Sequence, residues 1–167
     1  SGDVSPTLPE HVRASLGKAC PAVLDGGACP AGLESTIAAL RPGGGWQLLR
    51  PGPVSREALE ALLGPPDEGQ AGRIEAPGQL AQHYSPGKPV RLTATTAADD
   101  EFLIGFGPVA GDISLSPGAD LAEAAARLYV CLHAAAAAAQ PRIAVGPVPD
   151  SGMGAAINDR LRRAAAV

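Results

Sequence analysis

Several short stretches carry the side chains that could do chemistry. In "LLRPG" (48–52), Arg50 ends an apolar run just where Pro51 and Gly52 turn the chain away. A guanidinium held at a strand end can fork two charge-assisted hydrogen bonds to a phosphate or carboxylate, each contributing about 1.5–3 kcal/mol. The plainer use of the same residue is a cap or a surface ion pair. "ESTI" (34–37) carries adjacent hydroxyls, Ser35 and Thr36, which an extended backbone sends to opposite faces. One of them faces the interior or a cleft, although satisfaction by backbone groups accounts for such residues equally well. "SGDVSPT" (1–7) brings Ser1, Ser5 and Thr7 to a helix start. Free N–H groups there suit an anion, and Thr7 can also serve simply as a cap.

"APGQLAQHYSP" (76–86) raises a different question. It reads as a connector bracketed by proline and glycine, yet it places His83 beside Tyr84 in a chain with two tyrosines and two phenylalanines. A ring left in water is wasted in a connector. Tyr84 therefore either anchors the segment against a neighbouring unit or awaits a ligand.

Other stretches say less. "GMGAA" (152–156) imitates the front of a dinucleotide fingerprint, but no acidic residue follows about 20 positions on, and tight strand-to-helix packing explains it better. His11 and His133 fall on expected helices without sequence partners and receive no role. "RLRR" (160–163) reads as a solvated last turn whose charges complement the helix dipole. Cys20, Cys29 and Cys131 are odd in number and lack CxxC spacing. That disfavours a disulfide scaffold or a zinc site and fits inert thiols in a reducing cytoplasm.

Bulk properties remove whole classes of function. A net charge of −4 leaves no basic field to hold nucleic acid directly. The longest strongly apolar run, 134–139, falls far short of the roughly 20 residues that span a bilayer.

The elements that must position these residues follow from periodicity and caps. "SPTLPEHVRASLG" predicts a helix with a Thr7–Glu10 capping box, Pro9 in the first turn and Gly17 as its stop. "LESTIAAL" and "WQLLR" predict two strands joined by the glycine-rich "RPGGG". "SREALEALLG" (55–64) predicts a serine-capped amphipathic helix. No hydrophobic period survives from Pro65 to Pro89. Beyond it, "PVRLTAT", "FLIGFGPV" and "RIAVGPV" read as strands. "DLAEAAARLYVCLHAAAAAA" and "SGMGAAINDRLRRAAA" read as helices. Alternating strands and helices predict a small α/β layer with a parallel sheet. The first part is thin for an independent core and has the character of the tail of a larger domain.

As an ordered set, "SGDVSPTLPEHV", "GLESTI", "LLRPGPVS", "APGQLAQHYSPGKPV" and "GAAINDRLRRAA" resemble the long, two-domain form of the threonylcarbamoyl-AMP synthase family. The likeness runs essentially from Ser1 to the C-terminus. It implies an α/β protein: 1–64 as the C-terminal portion of a YrdC-like catalytic domain, 65–89 as a linker crossing the active site, and 90–167 as a small Rossmann-like domain with a parallel sheet. The family's Lys-x-Arg element and the Ser-x-Asn ahead of "SG" are absent, so the chain is expected to be a C-terminal fragment cut inside the catalytic domain, without appreciable activity of its own.

The activity implied for the parent is a nucleotidyl transfer. Threonine, bicarbonate and ATP, the last with Mg2+, give threonylcarbamoyl-AMP and pyrophosphate. The product feeds a tRNA-modifying transferase complex in the cytoplasm that makes threonylcarbamoyladenosine. The resemblance matches Ser5, Arg50 and Tyr84 to ATP-binding positions and Ser35 to a threonine-binding one, with His83 as an orienting neighbour. It names no catalytic residue and no metal ligand. Two alternatives stay open: a carbamoyltransferase-type YrdC protein, which is not expected to carry the 76–167 region, and a non-catalytic nucleotide-binding or interaction module.

Overall fold

A computed structural model of the chain describes residues 2–67, 74–80 and 83–166; Ser1 and parts of the 65–89 connector lie outside them. Helix α1 (Pro9–Leu16) starts at Pro9 and ends at Gly17, whose φ of 50° suits a glycine stop. The expected capping box does not form. Pro9 at the first helical position makes Leu8 the N-cap, so Thr7 sits one residue too early and makes no side-chain cap. The Thr7 N–H donates instead to His11 Nδ1 at 3.2 Å.

Strands β1 (Ile37–Leu40) and β2 (Trp46–Arg50) form an antiparallel hairpin across the glycine-rich turn, as expected. The register sets Ile37 opposite Arg50, which brings the "ESTI" segment alongside the arginine. Helix α2 (Arg56–Leu63) is capped by the Ser55 hydroxyl, which accepts from the Ala58 N–H. It is tied to the hairpin through Trp46, whose indole N–H donates to the Gly64 carbonyl at 2.9 Å. Neither α1 nor α2 has a fully buried residue. The first part is therefore thin, and it leans on the sheet-and-helix unit at the C-terminal end.

The second part is a four-stranded parallel sheet. Strands β3 (Val90–Arg91), β4 (Glu101–Gly105), β5 (Ile113–Ser114) and β6 (Arg142–Val145) lie in the order β3-β6-β4-β5. The inner strands β4 and β6 are nearly continuous buried apolar runs, as strands covered on both faces must be. Glu101 opens β4 in a buried position. The Arg91 guanidinium hydrogen-bonded to it, the Ala98 N–H and Arg142 together hold its carboxyl down at about 2. The expected strand 89–95 shortens to two residues because Thr93 turns the chain at φ 56°. Strand β5 is too short to show a period in the sequence.

Helices α3 (Leu121–Ala137), capped by Asp120, and α4 (Met153–Ala165) pack together with the sheet around Ile104, Leu128, Leu132, Ile143, Val145 and Ile157. Gly152 precedes α4 at φ 53°, and a Cβ on Gly154 would lie 1.9 Å from the Pro149 carbonyl oxygen. "GMGAA" is thus a place of close strand-to-helix packing, as its residues predict. Val4 and Tyr84 join the same core cluster, so the first segment and the connector are built into it.

Candidate nucleotide site

Arg50 is buried at the end of β2. Its Nε donates to the Ser35 carbonyl at 3.0 Å, Nη2 to the Ser35 hydroxyl at 3.2 Å and Nη1 to the Pro77 carbonyl at 3.3 Å. All three partners are neutral oxygens. No carboxylate among the described residues pairs with Arg50. A buried guanidinium without an anion is electrostatically incomplete, because removing its charge from water is costly.

Tyr84 approaches from the connector. Gly78, at φ 84°, is the contact point: a Cβ built there would lie 2.7 Å from the Tyr84 hydroxyl oxygen and 3.2 Å from Arg50 Cδ. Both side chains crowd one glycine, and the tyrosine hydroxyl makes no hydrogen bond to a described residue. Tyr84 is 1% exposed, and its φ of 61° is a left-handed conformation that a non-glycine residue adopts at a cost of about 1–3 kcal/mol. The ring meets His83 edge-on at 4.0 Å between centroids and Tyr129 at 5.6 Å. Of the two readings for this ring, the anchoring one is realised in the packing, while the hydroxyl end meets no partner among the described residues.

Ser5 lies on the other side of this tyrosine pair. Its hydroxyl donates to Glu34 Oε1 at 2.6 Å, and the Tyr129 hydroxyl spans both Glu34 oxygens at 3.0 and 2.9 Å. Arg160 Nε completes the set at 3.1 Å from Oε2. Burial acts to raise the Glu34 carboxyl, but the bonds from Ser5, its own backbone and Tyr129, with the Arg160 charge, outweigh it and hold the group below the usual carboxylate range. A cavity of about 290 Å³ opens between Ser5, Thr7, Glu34 and Tyr129, and the buried Thr7 hydroxyl has no partner among the described residues.

Arg160 corrects the reading of "RLRR". Far from being a solvated turn, it is fully buried, donating also to the Pro51 carbonyl at 2.6 Å and standing 5.6 Å from the Tyr84 ring centroid. Arg162 alone of that triplet keeps a largely exposed side chain. The structure thus pairs Ser35 with Arg50, sets Tyr84 beside them, and links Ser5 to Tyr84 only through Glu34 and Tyr129. Among the described residues no cluster of His, Cys, Asp or Glu could hold a metal ion. No helix there is long and apolar enough to cross a membrane.

Residues 54–166 match the family profile described as "Threonylcarbamoyl-AMP synthase, C-terminal domain". The chain belongs to the threonylcarbamoyl-AMP synthase family. The Bacillus subtilis threonylcarbamoyl-AMP synthase is 31% identical over 192 residues, covering 99% of this chain and 54% of that protein. The Pyrococcus abyssi threonylcarbamoyl-AMP synthase is 28% identical over 189 residues, covering 98% and 55%. The crystal structure of P. abyssi Sua5 complexed with L-threonine superposes with a TM-score of 0.80 at 27% identity over 99% of this chain and 55% of that one. A P. abyssi Sua5 variant in which consecutive histidine and tyrosine residues are both alanine shares the fold, with a TM-score of 0.79 at 23% identity. The chain spans about half the length of the curated relatives it matches.

Within this threonylcarbamoyl-AMP synthase fold, sequence reasoning missed Glu34, Tyr129 and Arg160. One signal was available for the last. Positions 157, 160, 161 and 164 share a helical face, and the other three are apolar, so Arg160 falls on the buried stripe of α4.

Proposed function

We propose that the chain forms part of an L-threonylcarbamoyladenylate synthase, a nucleotidyltransferase that joins threonine, bicarbonate and ATP for tRNA modification. In that reaction the threonine amine and bicarbonate give a carbamate, whose oxygen attacks the α-phosphorus of ATP and expels pyrophosphate. Carbamate and mixed anhydride are both labile in water, so a segment closing over the site serves the chemistry. In this proposal 1–64 is the C-terminal portion of the catalytic domain, 65–89 the linker crossing the active site and 90–167 the small α/β domain.

The observation that carries the reading is the buried Arg50, bonded only to neutral oxygens among the described residues, with the Tyr84 hydroxyl beside it. A phosphate oxygen would complete the charge of the first and accept from the second. Ser35, held by Arg50, would meet the second substrate, threonine, and Ser5 would meet the nucleotide. His83-Tyr84 is the one His–Tyr pair in the chain, and a consecutive His–Tyr pair is what the P. abyssi variant alters. Mg2+ would travel with the triphosphate as part of the substrate. The product would pass to a tRNA-modifying transferase complex.

One arginine cannot neutralise a triphosphate, so this chain alone is expected to release negligible pyrophosphate. Calorimetric titration of the chain with Mg-ATP tests the reading: saturable binding, competed by AMP, supports it. No heat at millimolar ATP, or robust threonine-dependent pyrophosphate release by this chain, would contradict the reading or the inactivity respectively.

A further inference from the structure

Arg160 touches the surroundings of three of the four proposed ligand-binding residues. Its Nε holds Glu34, which receives the Ser5 hydroxyl; its Nη1 holds the carbonyl of Pro51, the residue after Arg50; and its guanidinium stands over the Tyr84 ring. It reaches them from α4, on the far side of the sequence. The side chain is fully buried; Nη1 also reaches Asp159 at 3.1 Å, and Nη2 has no partner among the described residues.

An ionised carboxylate only accepts hydrogen bonds. The Ser5 proton therefore points at Glu34, which leaves Ser5 with lone pairs alone for a ligand. Glu34 cannot easily turn away, because Tyr129 and Arg160 would be left with unsatisfied donors in a buried place. Burial pushes the Tyr129 phenol well up, so it stays a donor. Ser5 and Thr7, whose hydroxyl has no partner among the described residues, both line the cavity of about 290 Å³.

We propose that Arg160, acting through Glu34 and Pro51, is a positioning residue that lets the small sheet-and-helix unit shape the nucleotide site, and that it makes Ser5 an acceptor for a ligand amine or hydroxyl, not a donor to phosphate. This rests on the reading above for the ligand, but its structural half is independent of ATP. It gives the second unit a task in the reaction that its own surface does not reveal. Phosphate contact falls to Arg50 and Tyr84, and Ser5 selects the donor-bearing end of the substrate.

The test uses the whole chain with its tyrosine rings labelled with carbon-13. Two tyrosines give two sets of ring signals, from Tyr84 and Tyr129. Arg160→Met is expected to move both sets, and Ser5→Ala to move Tyr129 more than Tyr84. Glu34→Gln, which replaces one acceptor oxygen by a donor, serves where Arg160→Met does not fold. In Mg-ATP titrations at neutral pH, Arg160→Met and Glu34→Gln should weaken binding about tenfold or more, while Arg162→Met leaves it unchanged. The pH profile adds a readout that a merely structural role would not move. Ser5, Tyr84, Tyr129, Arg160 and His83 face Glu34; without the Arg160 cation its carboxyl titrates higher, so Arg160→Lys should bind as the wild type at acid pH where Arg160→Met loses affinity. A folded Arg160→Met chain whose Tyr84 signals stay in place overturns the positioning role. A wild-type chain that binds no ATP, with both tyrosines moved by Arg160→Met, sinks the nucleotide reading and upholds the positioning.

Discussion

Arg160 Nε lies 3.1 Å from a carboxylate oxygen of Glu34, 126 positions earlier in the chain. The arginine side chain is fully buried and the glutamate about a quarter exposed. Arg160 pairs with Asp159 as well, at 3.1 Å, but among the described residues Glu34 has no second cation, so Arg160→Met leaves its carboxylate unpaired and is expected to cost about 3–5 kcal/mol in urea unfolding. The double change Glu34→Leu with Arg160→Met should cost well under the sum of the two single changes. Additive losses would show that the contact is incidental to the fold.

Gly78 separates Arg50 from Tyr84. Alanine there would adopt an unfavourable φ and bring a methyl to 2.7 Å from the tyrosine hydroxyl oxygen. Gly78→Ala is therefore expected to lose more than about 1 kcal/mol of stability. It should also weaken Mg-ATP binding, since Tyr84 must withdraw. Gly118→Ala, whose Cβ meets nothing within 4 Å and whose φ is ordinary, is the control. Equal behaviour of the two variants would contradict the crowding.

Two histidines set a pH dependence. Burial, and the charge of His133 stacked at 3.8 Å, oppose protonation of His11, with Glu10 favouring it. Burial also lowers His83, helped by Arg163 and Arg160 and opposed by Glu34. Both bind protons less readily folded than unfolded, so stability is full above about pH 6.5 and declines as pH falls through the depressed folded values. Unfolding measured between about pH 7.5 and about pH 5.5 should show this decline, and His11→Asn should flatten it while keeping an acceptor for the Thr7 N–H. A slope unchanged by that substitution would place the effect elsewhere.

What the residues foretold, and what they hid, divide along a physical line. The hairpin around "RPGGG", the Ser55 cap and the parallel sheet were legible because turn chemistry, caps and strand runs are local. The capping box at Thr7 failed because Pro9 fixed the cap one residue later. Arg50, Ser35 and Tyr84 stand out by residue type at strand ends and in a connector, and they share one neighbourhood, while the ligand roles given to them come from the resemblance. Glu34 and Arg160 stayed hidden because each has meaning only in the other's presence, and no local pattern links positions so distant. The apolar stripe of α4 marks Arg160 as inward-facing, but its carboxylate 126 positions earlier lies beyond any local reading.

Arg50 and Tyr84 are proposed to meet one triphosphate. Titration of the chain with Mg-ATP, comparing wild type, Arg50→Gln and Tyr84→Ala, tests it most directly. Each single change is expected to lose about tenfold or more in affinity, since a charge-assisted bond is worth about 1.5–3 kcal/mol. Their combination should lose less than the product of the two, because they hold the same group. Unaltered affinity in both variants, with the fold intact, would contradict it.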